Sequence, residues 1–254
     1  MISNFKQIKV PSCDLKNKPN KNASLETQLL HGDKVEIIKV KNQWAYCKNL
    51  EDSYEGWIEQ VNIGDNTHLT HKVSKPIVHV YSKPDIKSQI RCMLFLNSKI
   101  HIISETTNWC TIIINKKKTY IYKKHINKIE QKDLDWVNIA LMFKNTPYLW
   151  GGKTANGIDC SGLVQTSLNY SGIKFPRNTK NQINFGMQKC KSLNKIERGA
   201  LIFWNGHVAI GLNQKEILHS NAYHLSTIVE DFEVACKRIL KNYGPILAIK
   251  QFIK

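Results

Sequence analysis

A pattern of short alternating segments occurs twice in the first half of the chain, at one constant offset. Asp33–Ile38 matches Ser98–Ile103, and within the first segment Val35 and Ile37 alternate with polar residues. The same offset aligns further landmarks: Lys18–Pro19 with Lys83–Pro84, Gln43–Trp44 with Asn108–Trp109, and Trp57 with Tyr122. Alternation at period two is typical of short strands with one buried face. The repeat therefore predicts two small β-barrels, residues 1–66 and 67–129, with the polar segment Asn66–Lys72 between them.

The hydrophobic period changes beyond Glu130, where a new domain, residues 130–254, is predicted. Apolar residues then recur at helical spacing, at Leu134, Val137, Ala140, Leu141 and Phe143. Asp133 precedes this stripe and is the expected N-cap of the helix, while Pro147 follows its end. The chain is thus expected to combine two β modules with a mixed α+β domain.

Composition sets limits on the function. The 254 residues carry a net charge of +17, which favours anionic partners such as nucleic acid or carboxylate-rich substrates. Because the lysines are spread over every segment, coding bias explains the charge as well, and no nucleic-acid-binding motif occurs. We expect no nucleic-acid partner.

Targeting and cysteine signals favour a reducing compartment. The first ten residues contain no signal-peptide core, and no segment approaches 18 apolar residues, so no integral membrane association is expected. The seven cysteines form no C-x-x-C pair and no regular framework. The sequence therefore predicts a cytoplasmic protein without disulfides.

One cysteine stands in a distinctive context. Cys160 follows the glycines of Tyr148–Gly152 and Gly157, and an amphipathic stretch runs from it to Gly172. This pattern predicts that Cys160 lies in the first turn of a helix, where unpaired N–H groups and the helix dipole stabilise a thiolate. A thiolate is the nucleophile of cysteine peptidases. The other cysteines are expected to be buried apolar residues.

Two histidines occur on consecutive predicted strands. Gly206–Leu212 and Glu216–Ser220 alternate around the turn Asn213–Lys215, and a hairpin centred on Asn213 would place His207 directly opposite His219. One imidazole would then orient the other. A lone strand histidine is more often a core residue, and a cysteine with two histidines also forms zinc sites. The helix-start cysteine favours a nucleophile with its base, and no metal or cofactor is expected.

The ordered motifs of the second half resemble the NlpC/P60 family. They are Tyr148-x-Trp-Gly-Gly, Asp159-Cys-Ser-Gly-Leu-Val, Phe175-Pro-Arg177, Gln182, Gly199-Ala-Leu-Ile-Phe, His207-Val-Ala-Ile-Gly and His219-Ser. The resemblance implies a papain-like α+β fold with Cys160 as nucleophile, His207 as base and His219 as the residue that orients the base.

The repeated first half is similar to bacterial SH3-like (SH3b) modules, the second copy being degenerate because Ile121 stands where Gly56 is expected. Leu25–Asp33 and Tyr54–Trp57 are similar to the first barrel of bacterial γ-D-glutamyl-L-diamino acid endopeptidases, which recycle cell-wall peptides. This resemblance implies hydrolysis of the bond between γ-D-glutamate and a diamino acid in murein peptides with a free N-terminal L-alanine.

The same resemblance implies a set of substrate-binding residues: Tyr54, Asp159, Ser161, Tyr148, Trp150, Arg177, Thr179 and Glu26. Tyr54 and Asp159 would hold the substrate amine, and Arg177 would pair with a carboxylate. Each has a plainer interpretation. Asp159 could only cap the helix, Tyr54 could be a half-buried barrel aromatic, and Arg177 could be a surface charge.

Two departures from the family pattern weaken the substrate assignment. Asn178–Thr179 stands where Asp or Ser is frequent, and Gly199–Ala200 replaces a usual Gly-Asp pair. Two alternatives also stay open: an endopeptidase or amidase acting on intact peptidoglycan, and a non-catalytic protein that binds wall peptides. The diamino acid and the oligomeric state are not specified by the sequence.

Overall fold

The chain divides into two units, residues 1–132 and 133–254. The structure is a computed structural model that describes residues 4–132, 135–189 and 196–252. Within these ranges no helix is long and apolar enough to cross a membrane.

The first unit begins with one seven-stranded antiparallel sheet. Its strands are β1 (Phe5–Ile8), β2 (Ser12–Lys16), β3 (Leu25–Leu30), β4 (Lys34–Lys41), β5 (Trp44–Asn49), β6 (Glu55–Glu59) and β7 (Ile63–Gly64), in the order β3-β2-β6-β5-β4-β1-β7. A 3₁₀ helix, Gln60–Asn62, precedes β7. Alternate residues such as Leu15, Val35 and Ile58 are fully buried in one apolar cluster. The predicted period-two burial of Val35 is confirmed.

The rest of this unit repeats the same strand order in two sheets. The strands are β8 (His71–Val73), β9 (Ile77–Tyr81), β10 (Ile90–Phe95), β11 (Lys99–Ile100), β12 (Ser104–Glu105), β13 (Trp109–Ile114), β14 (Lys117–Tyr122) and β15 (Ile126–Lys128), ordered β10-β9-β14-β13-β12 and β11-β8-β15. A second 3₁₀ helix, Lys123–His125, again precedes the last strand. The single strand β4 has two short counterparts here, β11 and β12.

The repeat loses its constant offset at one turn. The β5–β6 turn spans residues 50–53, whereas β13 and β14 are joined by Asn115–Lys116 alone, both with positive φ as a tight hairpin requires. The ladder bridges Lys16 to Trp57 and Tyr81 to Tyr120. Trp57 therefore corresponds to Tyr120. The sequence alignment of Trp57 with Tyr122, and of Gly56 with Ile121, is therefore wrong. It is displaced by two residues because the β13–β14 turn is two residues shorter than the β5–β6 turn.

The second unit opens with helix α1 (Trp136–Leu141). Its N-cap is Asp135, whose carboxylate accepts hydrogen bonds from the backbone N–H groups of Val137 and Asn138. The expected cap Asp133, together with Leu134, lies outside the described residues. Since the helix starts at Trp136, the prediction placed its beginning too early.

The core of this unit is a six-stranded sheet with helices packed against it. The remaining elements are β16 (Lys153–Thr154), β17 (Gly157–Ile158), α2 (Cys160–Tyr170), α3 (Thr179–Gln182), β18 (Gln188–Lys189), β19 (Leu201–Trp204), β20 (His207–Gly211), β21 (Glu216–Asn221), β22 (Ser226–Asp231), α4 (Phe232–Tyr243) and β23 (Ala248–Gln251). The sheet order is β18-β23-β19-β20-β21-β22. Helix α2 contacts β20 and β21, while Ala235 and Ile239 of α4 share an apolar cluster with Ala209 and Ile217. These contacts bring α2, β20, β21 and α4 together around one site.

Candidate active site

Cys160 is the first residue of α2, as the sequence predicts. Asp159 is the N-cap, and its Oδ1 accepts a 2.6 Å hydrogen bond from the Gly162 N–H. Gly162 is needed here because a Cβ would lie 2.4 Å from the carbonyl oxygen of Gly152. The glycine-rich segment before the cysteine thus packs directly on the first turn of the helix.

The capping carboxylate is part of a buried ion pair. Arg177 donates two hydrogen bonds to Asp159, from Nη1 to Oδ1 at 2.9 Å and from Nη2 to Oδ2 at 2.7 Å. Ser161 Oγ and the Gly151 N–H donate to the same carboxylate. The Arg177 side chain is only 2% exposed, so it is not a surface charge. Asp159 and Arg177 neutralise each other in this arrangement, and their expected contacts with a substrate stay predictions.

The two histidines contact each other, although not in the expected register. Strand β20 pairs with β21 at Ile210–Leu218 and Gly211–Ile217, so the hairpin is centred on Gln214 rather than Asn213. This pairing places His219 opposite Ala209 and diagonal to His207, on the same face. Diagonal neighbours are within reach of aromatic side chains. His207 Nε2 lies 2.9 Å from His219 Nδ1, so the expected contact is present while the directly opposed pairing is wrong.

Glu230, which is not among the residues predicted from the sequence, extends this row of side chains. His219 Nε2 lies 2.9 Å from Glu230 Oε2, to which Arg238 Nη2 also donates at 2.5 Å. Glu230 pairs with Ile217 across β21 and β22, which again makes it a diagonal neighbour of His219. The signal in the sequence is the alternation of a second hairpin, which places Glu230 on the same face as His219.

The thiol of Cys160 reaches the backbone of β20 beside His207. The nearby backbone N–H groups of Val208 and Ser161 act to lower the pKa of the thiol, but larger effects oppose them. Burial is the largest influence, followed by the Asp159 carboxylate, and together they raise the pKa of the Cys160 thiol to about 11. The expected thiolate is therefore not the resting form, because burial outweighs the helix dipole.

Burial also controls the histidines. It lowers the pKa of His207 to about 3, and it lowers the pKa of His219 against the opposing effect of Glu230. Burial would raise the pKa of Glu230, but hydrogen bonds from His219 and Arg238 hold it at about 2. At neutral pH the resting site therefore contains a neutral thiol, two neutral imidazoles and an ionised Glu230.

The remaining predicted residues fall into two groups. In the second unit, Tyr148 is half-buried and its pKa is raised by burial and by the neighbouring Cys160 and Asp159. Thr179 begins α3 and is half-buried, and Trp150 is 68% exposed. In the first unit, Tyr54 donates a 2.9 Å hydrogen bond to Glu26 Oε2. The structure thus groups Tyr148 with Cys160, and Tyr54 with Glu26.

Comparisons with known proteins match two domain families and several curated relatives to the chain. The model of the NlpC/P60 family matches residues 145–240, and that of the bacterial dipeptidyl-peptidase SH3 domain matches residues 15–62. A γ-D-glutamyl-L-lysine dipeptidyl-peptidase of Bacillus cereus is 26% identical over 226 residues, which cover 77% of this chain and 67% of that protein. Dipeptidyl-peptidase 6 of Lysinibacillus sphaericus is 26% identical over 225 residues, covering 80% and 82% of the two chains.

A solved structure gives the same fold. The crystal structure of an NlpC/P60 family protein from Bacillus cereus matches with a TM-score of 0.82 at 19% identity, over 98% of this chain and 100% of that one. At this identity the match establishes the fold alone. The two matched models show that the chain contains an NlpC/P60 domain and, before it, a bacterial SH3 domain.

Proposed function

We propose that this protein is a cysteine peptidase that hydrolyses the γ-D-glutamyl–diamino acid bond of murein peptides with a free N-terminal L-alanine. The observation that carries the proposal is the capped helix start at Cys160 beside the hydrogen-bonded pair His207–His219. The names of the B. cereus and L. sphaericus relatives support the dipeptidyl-peptidase class. Recycling of wall peptides in the bacterial cytoplasm stays part of the prediction.

The arrangement suits acyl transfer through a thioester. As the sulfur of Cys160 attacks the γ-carbonyl carbon, the thiol proton passes to His207, and the backbone N–H of Cys160 is the candidate donor to the oxyanion. The C–N bond then breaks and His207 returns the proton to the leaving amine. Water, deprotonated by His207, releases the γ-D-glutamyl product from the thioester and restores the thiol.

The protonation states indicate when the proton moves. Because the resting pair is a thiol and a neutral imidazole, proton transfer accompanies the attack on the carbonyl instead of preceding it. Such general-base assistance needs the accepting nitrogen of His207 to carry a lone pair at that moment. The hydrogen bond to His219 meets this requirement, because it uses Nε2 of His207 and leaves the lone pair of His207 Nδ1 to accept the thiol proton.

We extend the proposal to the domains. Residues 1–66 and 67–129 would be two SH3-like modules and residues 130–254 the peptidase. The strand order of the seven-stranded sheet is repeated by the two sheets that follow it in the first unit, and this repetition supports two modules. Tyr54 lies beside the β5–β6 turn, which is longer than the corresponding β13–β14 turn of the second module, and its part in substrate recognition stays a prediction.

The alternative functions make different demands on the same residues. A zinc site would need a free lone pair on each histidine, whereas His219 has both ring nitrogens in hydrogen bonds. A non-catalytic protein would not need the hydrogen-bonded row from His207 through His219 to Glu230. An endopeptidase acting on intact peptidoglycan uses the same chemistry and differs only in substrate length, so an experiment must separate the two.

The test uses mass spectrometry of two tripeptides. L-Ala-γ-D-Glu-diamino acid and its N-acetyl form are incubated separately with the protein, using meso-diaminopimelate and L-lysine as the diamino acid. We expect release of L-Ala-γ-D-Glu from the free peptide, with roughly a hundredfold lower kcat/KM for the acetylated one because an expected charge contact is lost. Equal cleavage of both would favour the peptidoglycan endopeptidase, and no cleavage of either would refute the proposal.

A further inference from the structure

A carboxylate and a guanidinium form a second ion pair behind His219. Arg238 on α4 donates from Nη2 to Glu230 Oε2 at 2.5 Å and from Nε to Oε1 at 3.4 Å. His224 Nε2 lies 3.7 Å from Oε1, and the Arg238 guanidinium stacks 4.4 Å from the centre of the Tyr223 ring. The Glu230 side chain is 11% exposed. A carboxylate held by so many groups has a fixed position and a fixed charge.

The direction of each hydrogen bond in the row follows from that charge. An ionised carboxylate only accepts hydrogen bonds, so the proton at the His219–Glu230 contact lies on His219 Nε2. A neutral imidazole carries one ring proton, which makes His219 Nδ1 the acceptor in its contact with His207. His207 must then donate from Nε2, and its Nδ1 is left as the basic atom.

We propose that Glu230, anchored by Arg238, is a positioning residue that sets the tautomer of both histidines and so makes His207 Nδ1 the base. Without an ionised carboxylate beyond His219, the opposite tautomer pair would have the same number of hydrogen bonds, and the base would be protonated on the wrong nitrogen. The carboxylate also offsets the positive charge that His207 gains when it accepts the thiol proton. The low pKa of Glu230, about 2, agrees with its being ionised throughout the neutral range.

Nitrogen-detected NMR of the ¹⁵N-histidine-labelled full chain tests the tautomers without any turnover. Near pH 7 we expect His207 and His219 both to carry their proton on Nε2, and the Glu230→Gln variant to show a substantial Nδ1–H population at His219, because an amide can donate or accept. A wild-type His219 protonated on Nδ1, or tautomers unchanged in Glu230→Gln, would overturn the proposal.

Kinetics give the second test, which rests on the proposed peptidase function. Glu230→Gln should lower kcat roughly 10- to 100-fold with little change in KM, the size expected for loss of an outer hydrogen-bond partner. In a His219→Ala background the same substitution should have almost no further effect, because Glu230 acts through His219. An equal loss in both backgrounds would indicate a merely structural role and refute the assignment.

A matched control removes a carboxylate charge from a glutamate three positions away from Glu230. Glu233 is exposed in the first turn of α4, and Glu233→Gln should leave both kcat and the histidine spectra unchanged. Absence of tripeptide hydrolysis by the wild type would refute the proposed function alone, since the tautomer measurement stands without it. A Glu233→Gln variant with the same spectral change as Glu230→Gln would contradict the specific role of Glu230.

Discussion

The two arms of the site each contain a carboxylate paired with an arginine, yet the carboxylates face different partners. In the helix arm, Asp159 directs its oxygens at Arg177 and at backbone N–H groups of the α2 start. In the hairpin arm, Glu230 faces an imidazole. The Arg177 side chain is 2% exposed and that of Arg238 is 18% exposed. The same chemical pair therefore fixes backbone shape in one arm and proton position in the other.

The largest effect should come from removing the nucleophile of the helix arm, the sulfur of Cys160. Cys160→Ser replaces the sulfur by a far weaker nucleophile, and we expect kcat to fall by a factor on the order of 10⁴ or more. The readout is tripeptide hydrolysis, with circular dichroism to establish folding. Cys236→Ser on α4 is the control and should keep full activity. Retained activity in Cys160→Ser would mean that another group carries the reaction.

The pH dependence of alkylation tests the protonation state of the Cys160 thiol, which belongs to the helix arm and reacts with the base of the hairpin arm. A pKa of about 11 for Cys160 means that the thiol is protonated at neutral pH, so its iodoacetamide labelling should rise about tenfold per pH unit, or ~1000-fold from pH 7 to pH 10. Mass spectrometry of the Cys160 peptide gives the rate. A rate that is already on a plateau at pH 7 would instead indicate a resting thiolate–imidazolium pair.

Removing the arginine of each ion pair should show that one pair mainly stabilises the fold and that the other mainly supports catalysis. Arg177→Ala leaves a buried carboxylate unpaired and should lower the free energy of unfolding by about 3–5 kcal/mol. Arg238→Ala removes a partly exposed partner, so its loss of stability should be smaller while kcat still falls. Urea denaturation followed by the fluorescence of tryptophan measures the first quantity. Similar losses of stability in the two variants would contradict the distinction between the arms.

The smallest expected effect concerns the close approach of the glycine-rich segment to α2. Gly162→Ala puts a Cβ 2.4 Å from the Gly152 carbonyl oxygen, which should cost about 1–3 kcal/mol of stability by forcing the backbone apart. Gly186→Ala is the control, since no atom lies within 4 Å of its added Cβ. Thermal unfolding compares the two. An unchanged Tm in Gly162→Ala would show that the helix start tolerates displacement.

Local patterns in the sequence were enough to place individual side chains on their elements. Glycines followed by an amphipathic stretch predicted the helix start at Cys160, and alternation predicted that His207 and His219 share a face. The hairpin centre was displaced because strand alternation fixes the face and leaves the exact register open. The thiolate expectation did not include the effect of burial on the pKa of the thiol, because the degree of burial is a tertiary property.

Contacts between distant segments could not be read from the chain. Arg177 lies in a loop, and nothing local to it indicates that its partner is Asp159, 18 positions earlier. The repeat shows the same limit, because the shorter turn at Asn115–Lys116 changes the alignment of every later residue. Loop length varies without any signal in the alternation of the strands on either side.

The turn of the hairpin determines whether the two histidines can meet at all, through a simple rule of parity. His207 and His219 are 12 positions apart, and residues at an even separation face the same side of a hairpin only when its turn contains an odd number of residues. Asn213 holds the odd turn of residues 213–215, with its Oδ1 accepting from the N–H groups of Lys215 and Glu216. A change at Asn213 that favoured an even turn with the strands slipped by one residue would send His219 to the opposite side of the sheet. An exposed amide at the far end of the hairpin thus selects the side on which the histidines meet.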